Sequence, residues 1–180
     1  MFLNLDSQQA LTLIGDAERI FAETIVPKNF PHASHSPYLP GYDWLFLFER
    51  KLARFLDPWL KEYRNQLIGG GGLISEALSN AYCHAHKRCP VTPINVQVYL
   101  GRYGILLEIN DQGKGFDSEA MVRNCLAKRN YFHNAGNGIK SMLISETFGF
   151  FYTGNGTAYH LLYMFEEFRT QATQYRKIPD

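Results

Sequence analysis

A chain of 180 residues that is 46% apolar can bury one good core but is too short for two ordinary domains and a linker. Its 18 Lys and Arg against 17 Asp and Glu leave a net charge of +1, which excludes an overall basic field for nucleic acid and an acidic tail. Its three cysteines form no CxxC pair and suit reduced thiols, no basic segment precedes an apolar run in MFLNLDSQQ, and the most apolar stretch, 42–48, stops at Glu49. That stretch is far short of the roughly 20 residues a membrane span needs, so a soluble, cytoplasmic protein is expected.

Residues 2–5 predict a short strand, and Asp6 or Ser7 then caps a helix whose apolar positions, Ala10, Leu11, Leu13, Ile14, Ala17, Ile20, Phe21 and Ile25, recur at helical spacing. Residues 27–41 hold four prolines and two histidines and read as a loop or extended connector. Leu45, Phe48, Leu52, Phe55 and Leu56 mark a further helix, and Asp57-Pro58 resets the pattern before Trp59, Leu60 and Tyr63, giving two helices or one kinked helix. The four glycines at 69–72 form either a hinge or a close backbone approach, since each costs a helix about 1 kcal/mol against alanine. Residues 75–87, SEALSNAYCHAHK, follow as a helix.

Two strands are expected at 94–100 and 104–109, joined as a hairpin by Gly101-Arg102-Tyr103-Gly104. Residues 119–128 then read as helix, 130–138 as loop and 139–145 as a short helix. Strands at 148–152 and 157–165 flank the turn Thr153-Gly154-Asn155-Gly156. This order favours an α+β two-layer sandwich, with helices on one face of a largely antiparallel sheet. The organisation expected is one compact domain, with an N-terminal strand and helix region at 1–72, a core at 73–165 and a tail at 166–180.

Four segments carry the chemistry. In the helix at 75–87, Glu76, Asn80 and His84 lie four apart and stack into a polar stripe, while Ala77, Leu78, Ala81, Tyr82 and Ala85 cover the other side. The stripe is either a solvated face or a site. Solvated faces usually mix Lys, Arg and Glu, and an Asn in mid-helix costs propensity. NDQGKGFD, residues 110–117, puts a carboxylate at a strand end before two glycines, which is either a tight turn or a pocket edge with Asp111 as acceptor. Gly136-Asn137-Gly138 directly precedes the helix at Ile139, as a turn and cap or as free amides facing phosphate oxygens. Gly156-Thr157 opens the last strand as any hairpin could. Cys83, His84, His86 and Cys89 also invite a zinc reading, although helical neighbours one or two apart point in different directions.

In order and spacing, these segments resemble the GHKL ATP-binding superfamily of the Bergerat fold, which includes gyrase B subunits, heat-shock chaperones and sensor histidine kinases. Glu76-x-x-x-Asn80-Ala81-x-x-His84 looks like its N box and Asp111-x-Gly113-x-Gly115-Phe116-Asp117 its first glycine box. Gly136-x-Gly138-Ile139 looks like its second glycine box and Gly156-Thr157 its last motif. The resemblance covers roughly residues 73–165 and is nearest to the short anti-sigma-factor serine/threonine kinases, which share the N-box His and the FD after the glycines. It implies ATP and Mg²⁺ as ligands, with Asn80 on the metal. Glu76 would be the general base towards a serine hydroxyl or water, Asp111 the acceptor for the adenine amino group, and Thr157 its support. Gly113, Gly115, Gly136 and Gly138 would form the closing backbone, and His84 and Lys87 would face phosphate or remain structural.

The partner implied is a regulatory protein, a sigma factor or a STAS-type antagonist, without nucleic acid or membrane, and a homodimer of this chain is left open. The alternatives are a non-catalytic module whose conformation follows nucleotide occupancy, and an ATPase domain acting on a histidine elsewhere. The first seventy residues depart from the short family members, because residues 27–72 insert a proline loop, aromatic helices and four glycines. Trp44, Phe48 and Trp59 would suit either an interface or a core. A phosphoacceptor hairpin is disfavoured, since the first helix has no histidine and His32 and His35 sit in the proline loop.

Overall fold

The computed structural model describes residues 1–33, 35–127 and 143–176. Helix α1 (Ser7–Ile14) starts at a capping box in which Asp6 accepts from the Gln9 amide at 2.8 Å and the Gln9 side chain accepts from the Asp6 amide at 2.9 Å. It does not run on to Ile25. Gly15 and Asp16 both take positive φ (69° and 45°), and the amides of Arg102 and Tyr103 cap the carbonyls of Gly15 and Ile14 at 2.9 and 2.8 Å. Residues Glu18–Ile25 instead form strand β1, because pairing with a neighbouring strand overrides a periodicity that fits either element. Residues 2–5 contribute two isolated bridges, Phe2 to Phe150 and Leu3 to Arg176, rather than a strand.

Helix α2 (Asp43–Leu60) is continuous through Pro58 and carries Trp44, Leu45, Phe48, Leu52 and Leu56 on one buried stripe. Trp44 and Phe48 are thus core residues and not an exposed interface, while half-buried Trp59 packs on Phe55. A short helix α3 (Arg64–Leu67) leads to the glycine run. There Gly69 and Gly71 have positive φ and Gly72 approaches the Ile68 backbone too closely for a side chain. Helix α4 (Leu73–Asn80) follows and passes into a π turn at Ala81–Ala85. The chain continues through β2 (Ile94–Leu100), β3 (Gly104–Asn110), α5 (Ser118–Leu126), β4 (Phe148–Thr153), β5 (Ala158–Met164) and α6 (Arg169–Thr173).

The five strands form one antiparallel sheet in the order β1-β2-β3-β5-β4, so the N-terminal segment supplies an edge of the same sheet as the rest. Ile105, Leu107, Ile109, Phe150, Leu161 and Tyr163 point to the face covered by α2 to α5. Alternate residues Leu106, Phe151, Leu162 and Met164 form a second, smaller core with Leu3, Leu5, Ala10, Ile14 and Ala172. The helices are therefore not confined to one face. β3, β4 and β5 are apolar on both sides, and α1 and α6 cover the second side. Among the described residues, no helix is long and apolar enough to cross a membrane.

On that second face His160 is fully buried and stacked on Phe151, with ring centroids 4.4 Å apart. Its Nε2 lies 2.8 Å from Thr153 Oγ1 and 3.4 Å from Ser7 Oγ, and its Nδ1 is 3.6 Å from Glu108 Oε2. Burial lowers its pKa from 6.5 to about 4. A depressed histidine contributes stability that is complete above its unfolded value and lost as pH falls through the folded one. The unfolding free energy is therefore expected to drop by up to about 3 kcal/mol as pH falls from 6.5 through about 4. Glu108, whose carboxyl burial pushes up, acts in the opposite sense and reduces the drop. Chemical denaturation at a series of pH values checks this, and His160→Gln should flatten the dependence in that window.

Candidate functional site

The end of α4 fixes the geometry. Up to Asn80 the helix is regular, so Glu76 and Asn80 lie one turn apart on one face. Both are half-buried, and neither side chain makes a hydrogen bond among the described residues. Burial pushes the Glu76 carboxyl above its ordinary 4.5. Beyond Asn80 the helix widens, the His86 amide donating to the Ala81 carbonyl at 3.0 Å, five residues back. This extra residue per turn passes the stripe to Ala85, leaving His84 exposed and turning His86 inward to 6% exposure. Lys87 and Arg88 close the turn with positive φ of 50° and 60° and are exposed.

The loop after β3 lies against this helix end. A β-carbon on Gly113 would stand 2.6 Å from the Ala85 β-carbon, so glycine is required there for close approach. The Gln112 amide donates to His86 Nε2 at 3.0 Å, and the Gly113 amide to Asp111 Oδ1 at 2.7 Å. On its other side the Asp111 amide donates to the Thr157 carbonyl at 2.9 Å, which joins the loop to the start of β5. Burial raises the Asp111 carboxyl, opposed by the Gly113 amide and by His86. Tyr152, held strongly in its neutral form by burial, also feels the Asp111 charge.

The two glycine turns lock together. The Phe116 amide donates to the Asn155 carbonyl at 2.8 Å, and β-carbons on Gly115 and Gly156 would strike Asn155 and Phe116 carbonyl oxygens at 2.1 and 2.4 Å. Thr157 Oγ1 donates to the Gly154 carbonyl at 2.8 Å, leaving its oxygen able to accept. Asp117 has a local task, its side chain capping α5 through the Ala120 amide at 2.8 Å. Phe116 remains 41% exposed at the rim, edge-on to Tyr152.

Gly115→Ala combines the carbonyl clash with a φ of 72°, so it is expected to destabilise the fold by about 1–3 kcal/mol and to loosen the joint between the turns. Gly70→Ala meets nothing within 4 Å and is expected to be neutral or stabilising by up to about 1 kcal/mol. Thermal unfolding of the two variants checks the pair.

Three of the four motif segments thus meet: the α4 end, the Asp111 loop and the Gly156-Thr157 turn. Gly136, Gly138 and Ile139 lie outside the described residues. The sequence reading missed His86 as a contact of the Asp111 loop, because a regular helix would have placed His84 on the stripe; no local signal in SEALSNAYCHAHK announces the π turn. No group of three or more His, Cys, Asp or Glu that could hold a metal occurs among the described residues, and Cys83 Sγ instead sits 3.1 Å from the Tyr42 hydroxyl. A Mg²⁺ ion keeps several waters and phosphate oxygens and needs only one or two protein oxygens, so the free amide oxygen of Asn80 fits it. No protein-family model and no curated protein matches the chain.

Proposed function

We propose that this protein binds Mg-ATP at the junction of α4, the Asp111 loop and the β5 start, and transfers the γ-phosphoryl group to a serine or threonine of a regulatory protein partner, in the manner of an anti-sigma kinase. The supporting observation is the position of Asp111. It is pinned on one side by the Thr157 carbonyl and on the other by the turn resting on Ala85 and His86, a turn and a half beyond the free Asn80 side chain. The resemblance by which these segments suggest a Bergerat nucleotide site requires them to be neighbours, and they are contributed by chain positions about thirty and forty-five residues apart.

In this reading the second oxygen of Asp111, which has no partner among the described residues, accepts from the exocyclic amine of adenine. Thr157 supports it through a water. Asn80 would hold Mg²⁺, and the bound ion would neutralise phosphate charge. Glu76 takes the proton from the attacking hydroxyl. Its partial burial favours this role, because a carboxylate of raised pKa is a stronger base. Phosphoryl transfer otherwise asks for positioning and charge neutralisation, which a helix, a loop and a glycine lid can supply.

The test is incubation of purified protein with radiolabelled Mg-ATP and a small STAS-type antagonist. Acid-stable label on the antagonist supports the kinase. Binding without transfer points to a nucleotide-responsive module, and acid-labile label to a histidine acceptor.

A further inference from the structure

We propose that His86 is a positioning residue which holds the Asp111 turn in its binding shape only while Nε2 is unprotonated, so that nucleotide affinity is gated by proton uptake at this side chain. The proposal rests on the nucleotide reading above. A peptide N–H can only donate, so the 3.0 Å contact from Gln112 requires a lone pair on Nε2 and places the imidazole proton on Nδ1. Nδ1 is buried and has no partner among the described residues, so the Gln112 bond alone selects the tautomer. Proton uptake would turn Nε2 into a donor facing another donor. The turn would then lose the bond that sits between the Asp111 amide on Thr157 and the Gly113 amide on the Asp111 carboxylate.

Asp111 is the charged group acting on His86 from the β3 side, and it favours the protonated ring; burial disfavours it more strongly. On its own turn the flanking Lys87 and Arg88 are exposed, and Thr157, just before β5, is uncharged. The gate therefore closes on the acid side of the ordinary histidine range, with nucleotide binding full above it.

The experiment uses the full chain with ¹⁵N-labelled histidine and amides. In the absence of nucleotide, His86 should show the Nδ1–H tautomer, and the Gln112 amide should shift with the His86 titration as pH is lowered from 8 to 5. Mg-ATP titrations over the same range should show wild-type affinity falling about tenfold with that midpoint. His86→Gln, whose side-chain oxygen can still accept from Gln112, should bind at pH 8 and lose the midpoint. His86→Leu should bind about tenfold more weakly at every pH while keeping its circular dichroism. An identical pH profile for wild type and His86→Gln, or a Gln112 amide indifferent to the His86 titration, overturns the proposal. No binding by wild type at any pH overturns the nucleotide reading and the gate with it. The Gln112 response then decides separately whether His86 positions the turn.

Discussion

Glu76→Ala is expected to abolish phosphoryl transfer, by roughly a hundredfold or more, while leaving Mg-ATP affinity within about threefold of wild type. The asymmetry follows from where the side chain stands. Glu76 lies one turn before Asn80 and makes no hydrogen bond among the described residues, so its removal releases no described loop and leaves no described buried group unpaired. Alanine also preserves helix propensity in α4. What is lost is proton removal in the transition state. Since burial raises the Glu76 carboxyl above 4.5, the wild-type rate should rise with pH through a midpoint above that value, and this step should vanish in the variant. Single-turnover transfer and calorimetric binding on the same preparations check both halves. Undiminished transfer removes Glu76 from the chemistry, and lost binding assigns it to the pocket instead.

The fold was legible wherever glycine turns separated two strand-like runs. Both hairpins, β2–β3 across Gly101-Arg102-Tyr103-Gly104 and β4–β5 across the Gly154 turn, stand where the strand-like runs and their glycines placed them. The N-terminal helix was misread beyond Ile14 because Ala17, Ile20, Phe21 and Ile25 satisfy a helical spacing by chance. The deciding facts, the left-handed Gly15 and Asp16 and the pairing with β2, are tertiary. The aromatic face of α2 read equally as core or interface, and only packing could choose core.

In the site, Glu76 with Asn80 followed from helix period, whereas the nearness of Asp111 to Thr157 was only what the resemblance implied. The exchange of His84 for His86 followed from neither. One widened turn rotates everything after it, and that turn meets a loop some thirty residues later in sequence, a contact that no local pattern announces. Likewise the four glycines at 69–72 are partly a close approach, at Gly72, and partly open turn, at Gly70, a division that sequence cannot express.

Asp111→Asn addresses the pocket itself. Asparagine is nearly isosteric, and its oxygen can keep the 2.7 Å bond from the Gly113 amide, so the turn should survive. The amide nitrogen would then replace the oxygen that has no partner among the described residues, setting a donor against the adenine amine, with an expected loss on the order of a hundredfold in affinity. The decisive measurement is calorimetric titration of Mg-ATP into nucleotide-free wild type and Asp111→Asn. Saturable binding by the wild type that is lost in a variant of unchanged fold is the expected result. Absence of binding by wild type, or equal binding by both, would contradict a nucleotide site at Asp111.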